Sequence, residues 1–176
     1  MEVKTLKILS LLFVILIRLN GSEINDSELA LHHFMQGEFL MNQGNYSLAV
    51  LEFQDAIDLD PNAATIHVSI ADAYRKLGKI KRSKRHLDIA IELDPNETEA
   101  LEILGELHIQ IKDYINAQLV FKRLHDINPT NIDYIFALAD LARVQKEWNL
   151  AIDYYIEGYN INSLAINGLE QALQIS

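Results

Sequence analysis

The chain contains no cysteine, only three prolines and few basic residues. Without cysteine, its 176 residues cannot form a disulfide framework, a thiol nucleophile, an iron–sulfur cluster, a cysteine-ligated zinc site or a lipid-modified N-terminal cysteine. Fifteen Lys and Arg against 25 Asp and Glu give a formal charge of −10. This balance argues against nucleic acid as the main partner, because phosphate contacts need clustered basic side chains.

The first 22 residues differ from the rest of the chain. Two lysines precede an apolar run, Ile8–Ile17, that ends at Arg18. Even when extended to Leu19, the run would form only roughly 18 Å of helix, whereas a bilayer core is about 30 Å thick. The pattern predicts a secretory signal peptide over residues 1–22, and therefore an exported, periplasmic or secreted protein. An uncleaved N-terminal membrane anchor and a buried first helix are the alternatives, and membrane contact is expected only through this segment if it is uncleaved.

The three prolines are regularly spaced. Pro61, Pro95 and Pro129 lie 34 residues apart, and the first two end the same phrase, Ala-Ile-acid-Leu-Asp-Pro. After one more interval a similar phrase ends in Ser163 instead of proline. A 34-residue period indicates a repeat protein. The predicted repeats cover about 30–63, 64–97, 98–131 and 132–165, within a folded region of residues 23–176.

Each repeat contains two segments in which apolar residues recur three and four positions apart, which predicts two amphipathic helices. In the second repeat these stripes are Ile66, Ile70, Ala73, Tyr74 and Leu77, and then Leu87, Ala90, Ile91 and Leu93. The turns between the helices are predicted at Gly44-Asn45, Gly78-Lys79, Lys112-Asp113 and Lys146-Glu147. Residues 165–176 predict a final amphipathic helix that caps the array, or a fifth repeat cut short.

The phased residues resemble the tetratricopeptide repeat (TPR) family, whose pattern is W-x2-L-G-x2-Y, then A-x3-F, then P. The matching residues are Gly37, Leu40, Ala49, Phe53 and Pro61 in the first repeat, Ala71, Tyr74, Leu87 and Pro95 in the second, Leu104, Gly105, Ala117, Phe121 and Pro129 in the third, and Leu138, Ala139, Ala151 and Tyr155 in the fourth. The leading aromatic is replaced by His33, His67, Leu101 and Ile135. The resemblance covers about residues 27–176 and implies an all-α, right-handed superhelical solenoid of antiparallel helix pairs.

Catalytic motifs are missing from the sequence. The six histidines form no H-E-x-x-H motif, and there is no G-x-S-x-G, Walker-type or G-x-G-x-x-G sequence. His33 and His67 occupy the same position in adjacent repeats, where they are interpreted as packing substitutes rather than as metal ligands. The sequence therefore predicts no catalytic residue, no metal and no cofactor.

The resemblance implies a binding groove lined by the first helix of each repeat. One position of that helix is acidic in every repeat, and two arginines and three further acidic residues lie near it. These candidate groove residues are Glu38, Asp72, Glu106 and Asp140, with Arg75, Glu99, Glu102, Asp133 and Arg143. Such a groove would prefer a basic or amine-bearing segment; the plainer alternative is a solvated polar face duplicated with the repeat.

Two further features bear on the partner. The chaperone-binding subset of the family holds a C-terminal carboxylate with Lys, Arg and Asn, whereas Phe34, Glu38, Glu99 and Ile103 occupy the corresponding places here, which disfavours that activity. A basic patch, Lys81, Arg82, Lys84 and Arg85, is either a solvated outer face or a contact for anionic lipid, glycan or an acidic protein.

The sequence thus favours a non-catalytic protein-binding adaptor of the cell envelope or secreted space. An accessory subunit or a truncated domain of a larger enzyme or secretion assembly is the alternative. Self-association of the array is a third possibility, and the sequence leaves the oligomeric state open.

Overall fold

The computed structural model describes residues 25–162 and residue 170. The predicted signal peptide lies outside the described residues, as does the predicted capping helix apart from Glu170. The described chain forms eight α-helices and no β-strand. They are α1 (Asp26–Asn42), α2 (Tyr46–Leu59), α3 (Ala64–Lys76), α4 (Ile80–Leu93), α5 (Thr98–Gln110), α6 (Tyr114–Ile127), α7 (Ile132–Val144) and α8 (Trp148–Ile161).

The helices pack as consecutive pairs, α1 with α2, α3 with α4, α5 with α6 and α7 with α8. The loop inside each pair is three residues long, which makes the two helices antiparallel neighbours. The chain divides after Pro95 into two compact units, one holding α1–α4 and the other α5–α8. These pairs confirm the predicted all-α helix-pair fold. Among the described residues, no helix combines the length and apolarity needed to cross a membrane.

The first helix of every pair ends in the same turn. The residue after the C-cap has a positive φ of 74° at Gly44, 70° at Gly78, 61° at Lys112 and 64° at Lys146. In the first pair, the following N–H, that of Asn45, donates to the carbonyl of Leu40 at 2.9 Å, which closes a Schellman motif. The predicted turns are therefore confirmed, and glycine relieves backbone strain at two of the four.

Small residues allow the paired helices to approach closely. A Cβ atom added at Gly37 would lie 2.4 Å from the ring of Phe53, and one added at Gly105 would lie 2.8 Å from the ring of Phe121. The ring of Phe53 is completely buried. The glycines of α1 and α5 are thus required by packing and not by a turn.

Two details of the helices go beyond what the periodicity predicted. Helix α1 begins at Asp26, four residues before the predicted start of the first repeat, because the side chain of Asn25 accepts a hydrogen bond from the N–H of Glu28 at 2.8 Å. Leu93, the last member of the predicted stripe in α4, is 38% exposed. It lies at the helix end, where the chain leaves the contact with α3.

Candidate functional site

In the first unit, the first helices of the two pairs, α1 and α3, contact each other and enclose a pocket of about 410 Å³ near their N-termini. Five apolar and five polar residues line it, and most of the lining surface is apolar. The lining residues are Ala30, Leu31, Phe34, Ala63 and Ile66, together with Asn25, Ser27, Glu28, Asp60 and Thr65. The pocket thus combines an apolar surface with two carboxylates.

The turn before α3 helps to shape this pocket. Pro61 stops α2, and the carboxylate of Asp60 accepts a hydrogen bond from the N–H of Asn62 at 3.3 Å. This turn carries Asp60 and Ala63 to the pocket, where Ala63 lies beside Ile66 of α3. The same phrase that marks the repeat period therefore supplies part of the pocket wall.

The predicted acidic positions of the first unit differ in their surroundings. Glu38 of α1 is half-buried, and Asp72 of α3 forms an ion pair with Arg75 at 2.6 Å. The predicted basic groove residue Arg75 therefore neutralises an acidic one on its own helix. No Lys or Arg occurs between residues 25 and 74, whereas eight Asp and Glu do. The first one and a half helix pairs are consequently strongly acidic.

In the second unit, two of the predicted acidic residues are engaged by tyrosines. Glu102 of α5 accepts a hydrogen bond from the hydroxyl of Tyr134 of α7. Burial and this carboxylate raise the pKa of Tyr134 to about 12. Asp140 accepts a hydrogen bond from the Tyr155 hydroxyl at 2.6 Å.

The remaining predicted residues of this unit lie at the surface. Arg143 pairs with Asp140 at 3.1 Å, and hydrogen bonds to Tyr155 and Asp140 raise the pKa of the Arg143 guanidinium. Glu99, Glu106 and Asp133 are exposed. Tyrosine hydroxyls of the same unit therefore fix the positions of Glu102 and Asp140.

The predicted basic patch lies on α4. Lys81, Arg82 and Arg85 are exposed. Arg82 lies over the ring of Tyr74 at 5.6 Å from its centroid, and Lys84 pairs with Asp88 at 3.1 Å. Two of the four basic residues therefore already interact with neighbouring side chains.

Sequence reasoning missed two polar pairs inside the first unit. His33 Nδ1 lies 2.8 Å from a Glu52 carboxylate oxygen, and His67 Nδ1 lies 3.1 Å from His86 Nδ1. Each pair joins the two helices of one repeat across an interval of 19 residues. The hydrogen bond that His33 donates to the Glu52 carboxylate raises the pKa of His33. Each pair begins with a histidine at the position where the family has an aromatic residue, and its partner follows 19 residues later. This repeated spacing is the sequence signal that could have predicted both pairs.

The two histidines at the normally aromatic position do not share a site. His33 and His67, which share a position in adjacent repeats, each bond within their own helix pair. Among the described residues, one group has donor atoms close enough to hold a metal ion, His33, Glu52 and Asp55, with these atoms within 4.8 Å of one another. The buried Glu52 already bonds to His33 and Asp55 is exposed, so we assign no metal to this group.

Helix pairs that repeat every 34 residues, with one face of first helices open to solvent, define a class of helical repeat protein. Two family profiles match the chain, one described as "TPR repeat" over residues 37–78 and one as "Tetratricopeptide repeat" over residues 68–132. Together with the fold, these matches show that the chain belongs to the tetratricopeptide repeat family. Proteins of this family generally are non-catalytic protein–protein interaction modules.

Individual relatives are distant. The chain is 25% identical to tetratricopeptide repeat protein 12 of Mus musculus over 87 residues, which is 49% of the chain and 12% of that protein. It superposes on MamA from Desulfovibrio magneticus RS-1 with a TM-score of 0.74 at 16% identity, covering 84% of each chain. It also superposes on the first TPR of Spaghetti (RPAP3), bound to the HSP90 peptide SRMEEVD, with a TM-score of 0.65 at 22% identity, covering 69% of this chain and 97% of that one. The chain spans 12% to 24% of the curated relatives that it matches.

Proposed function

We propose that the chain is a non-catalytic scaffold that binds a segment of a partner protein on the face formed by its first helices. The observation that carries this proposal is the pocket between α1 and α3, whose apolar surface is bordered by Glu28 and Asp60. A neighbouring fold, RPAP3, is bound to a peptide rich in glutamate. The acidic residues of this chain favour the opposite preference, a segment that carries Lys or Arg.

The acidic residues of the first helices are proposed to contribute long-range attraction rather than direct ion pairs at every position. Asp72 and Asp140 are already paired with Arg75 and Arg143 on their own helices. Glu38 has no arginine three residues further along its helix. This carboxylate is therefore expected to contribute more to partner attraction than Asp72 and Asp140.

Crosslinking in the producing cell tests the groove. Replacing the series by amides (Glu38→Gln, Asp72→Asn, Glu106→Gln, Asp140→Asn) should reduce the yield of partner crosslinks severalfold, measured by quantitative mass spectrometry. A control variant removes four exposed carboxylates from second helices instead (Asp58→Asn, Glu92→Gln, Asp126→Asn, Asp153→Asn) and should leave the yield unchanged. Equal crosslink yields from the two variants would eliminate the groove as the binding face.

We further propose that the protein works in the cell envelope or the secreted space, on the strength of residues 1–22. Their basic start and short apolar run are typical of an export signal. Fusing residues 1–24 to a reporter that is active only after export should give activity, and replacing Leu12 and Val14 by Arg should abolish it. A reporter that stays inactive with the unaltered segment would refute this location. Retention of the reporter in the membrane would favour the uncleaved anchor.

An accessory role in a larger assembly is the second candidate. It is favoured by one observation, the small share of the curated relatives that this chain spans, 12% to 24% of their lengths. In that case catalysis would belong to another chain or domain. Size-exclusion chromatography of cell extract, followed by detection of the chain, separates a free scaffold from a stable subunit of a large complex.

A further inference from the structure

Helix α1 presents an apolar stripe to solvent. Leu31, Met35 and Phe39 follow one another at intervals of four residues and are 56%, 61% and 58% exposed. Residues four apart lie on the same side of an α-helix, so the three side chains form one continuous surface. Three large apolar side chains in a row at this exposure are the pattern by which a protein recognises another helix.

Part of the equivalent surface is covered in the next helix pair, where Thr65, at the position of Leu31, is exposed but the position of Phe39 is buried. Ala73 of α3 occupies the position that corresponds to Phe39, and it is completely buried in a cluster with Ala56 and Ile57 of α2. The second helix of one pair thus packs on the first helix of the following pair. Among residues 25–162, no helix takes that place on α1, and the position carries Phe39 instead of a small residue.

Carboxylates flank this stripe. At 100° per residue, Glu28 and Glu38 lie within the same half of α1 as Leu31, Met35 and Phe39. Glu28 and Leu31 also line the pocket, where Asp60 adds a third carboxylate. Residues 25–74 contain no Lys or Arg that could neutralise these charges.

We propose that this surface of α1, defined by Leu31, Met35 and Phe39 and flanked by Glu28 and Glu38, docks a basic amphipathic helix of a partner protein. The proposal rests on the function proposed above and locates the partner on α1. The apolar face of the docked helix covers the stripe, and its Lys or Arg residues lie beside the carboxylates. Over Phe39, the docked helix takes the place that α2 takes over the equivalent Ala73 of α3.

A designed peptide tests this proposal. The probe is a fluorescein-labelled, 15-residue peptide of leucine and lysine with one apolar face, and the protein is a chain that begins at residue 23 and so contains every described helix. Fluorescence anisotropy should show saturable binding that is at least tenfold tighter than for a leucine–glutamate peptide of the same pattern. Met35→Lys should weaken binding at least tenfold, and Glu28→Gln with Glu38→Gln should reduce its dependence on salt.

The matched control is Ile115→Lys on α6, since Ile115 is also exposed, at 69%, and should not affect the peptide. Both substitutions lie at the surface, and circular dichroism checks that the fold is retained. Equal binding of the two peptides, or binding that is indifferent to Met35→Lys, would overturn the proposal. If the peptide does not bind but partner crosslinks still depend on the acidic series, the docking surface is refuted and the scaffold function is retained.

The same protein variants distinguish two other possible occupants of the α1 surface. Residues 4–18 combine apolar residues with Lys4, Lys7 and Arg18, so the chain's own N-terminal segment is tested by comparing the full chain with the chain that begins at residue 23. Binding by the shorter chain alone would assign the surface to that segment and overturn the partner proposal. A dimer in light scattering that Met35→Lys dissociates would assign it to a second copy, with the same consequence.

Discussion

Replacing Gly37 by alanine is expected to destabilise the first unit by about 2 kcal/mol, even though alanine is the better helix former. The added Cβ would lie 2.4 Å from the ring of Phe53, and three ring atoms lie within 2.9 Å of it. The ring cannot move outward without cost, because Phe53 is completely buried. The extra methyl group therefore forces apart two helices that are otherwise in close contact. Urea unfolding followed by circular dichroism measures the change.

The same substitution in the second unit should cost less. A Cβ at Gly105 would lie 2.8 Å from one atom of the Phe121 ring, with the next atoms at 3.1 and 3.2 Å. Phe121 also retains 8% of its surface exposed, which gives its ring some freedom to move. A larger loss of stability for Gly105→Ala than for Gly37→Ala would contradict this account.

The second repeat supplies the rescue for the Gly37 variant. At the same two positions it has Ala71 and Leu87, and both are completely buried. The double variant Gly37→Ala with Phe53→Leu reproduces that pair and should lose at least about 1 kcal/mol less stability than the two single variants lose together, measured as a coupling energy in a double-mutant cycle. Additive effects of the two substitutions would mean that the clash with Phe53 is not the cause. Ala71→Gly is the matched control, since it creates no clash and should cost the helix propensity, about 1 kcal/mol, together with the loss of one buried methyl group.

The regular part of the fold could be predicted from the sequence. Pro61, Pro95 and Pro129 gave the period because proline cannot continue a helix, and apolar periodicity divided each period into two helices. The four turns at 34-residue intervals were located from Gly44 and Gly78, although the lysines at the other two turns carry no turn signal of their own. The structure shows that these lysines adopt the same positive φ. Their position in the repeat, not their residue type, determines it.

The candidate site was predictable only in part. The acidic series on the first helices was visible as a spacing, but its pairing was not, since Asp72 and Asp140 each meet an arginine three residues later on the same helix. The tyrosine contacts of Glu102 and Asp140 depend on how one helix is rotated against another. Side-chain rotation of this kind is decided by packing across helices, which periodicity within one helix does not contain.

The exposed surface of α1 was missed for a different reason. The prediction started the first repeat at residue 30 and treated its first helix like the other three, so it did not ask what covers Leu31, Met35 and Phe39. In the next repeat α2 buries Ala73, the counterpart of Phe39, whereas Thr65, the counterpart of Leu31, is exposed. The exposure of Phe39 thus follows from the position of α1 as the first described helix, which no single repeat contains.

The pair formed by His67 and His86 is expected to make the stability of the first unit depend on pH on the acidic side of neutrality. His67 Nε2 lies 3.1 Å from the carbonyl oxygen of Pro61, which accepts a proton and cannot donate one. His67 Nε2 therefore donates to Pro61. His67 Nδ1 accepts from the Nδ1–H of His86 in the neutral ring.

Protonating His86 in the folded protein is unfavourable. Burial, the neighbouring His67 and the positive charge of Arg85 together lower the pKa of His86 from its ordinary value of 6.5 to about 4. The ring also stacks on Tyr74, and Arg82 lies over that same tyrosine. The positive charge of Arg85, on the same helix, therefore opposes protonation of the ring.

The sign of the effect follows from this lowered pKa. Between pH 6.5 and about 4 the unfolded chain takes up a proton at His86 that the folded chain does not, so the free energy of unfolding falls as the pH is lowered through this window. One pKa unit corresponds to about 1.4 kcal/mol, and because the ring is only half-buried, solvent screening leaves a loss of about 1 to 2 kcal/mol.

His33 acts in the opposite direction at higher pH. Glu52 raises the pKa of His33 above 6.5, so its contribution is complete below pH 6.5 and is lost as the pH rises through the raised value.

Urea unfolding measured at intervals from pH 8 to pH 4 tests this linkage. The double variant His67→Leu with His86→Val installs the apolar pair that the third repeat has at Leu101 and Val120. It should flatten the decrease between pH 6.5 and pH 4 relative to the unaltered chain, whatever its stability at pH 7. His108→Gln, which alters a histidine of the second unit, is the control and should leave the decrease in the first unit in place. An equally steep decrease in the double variant would show that the carboxylates alone produce the acid sensitivity, because they are protonated in the unfolded chain over the lower part of the same range.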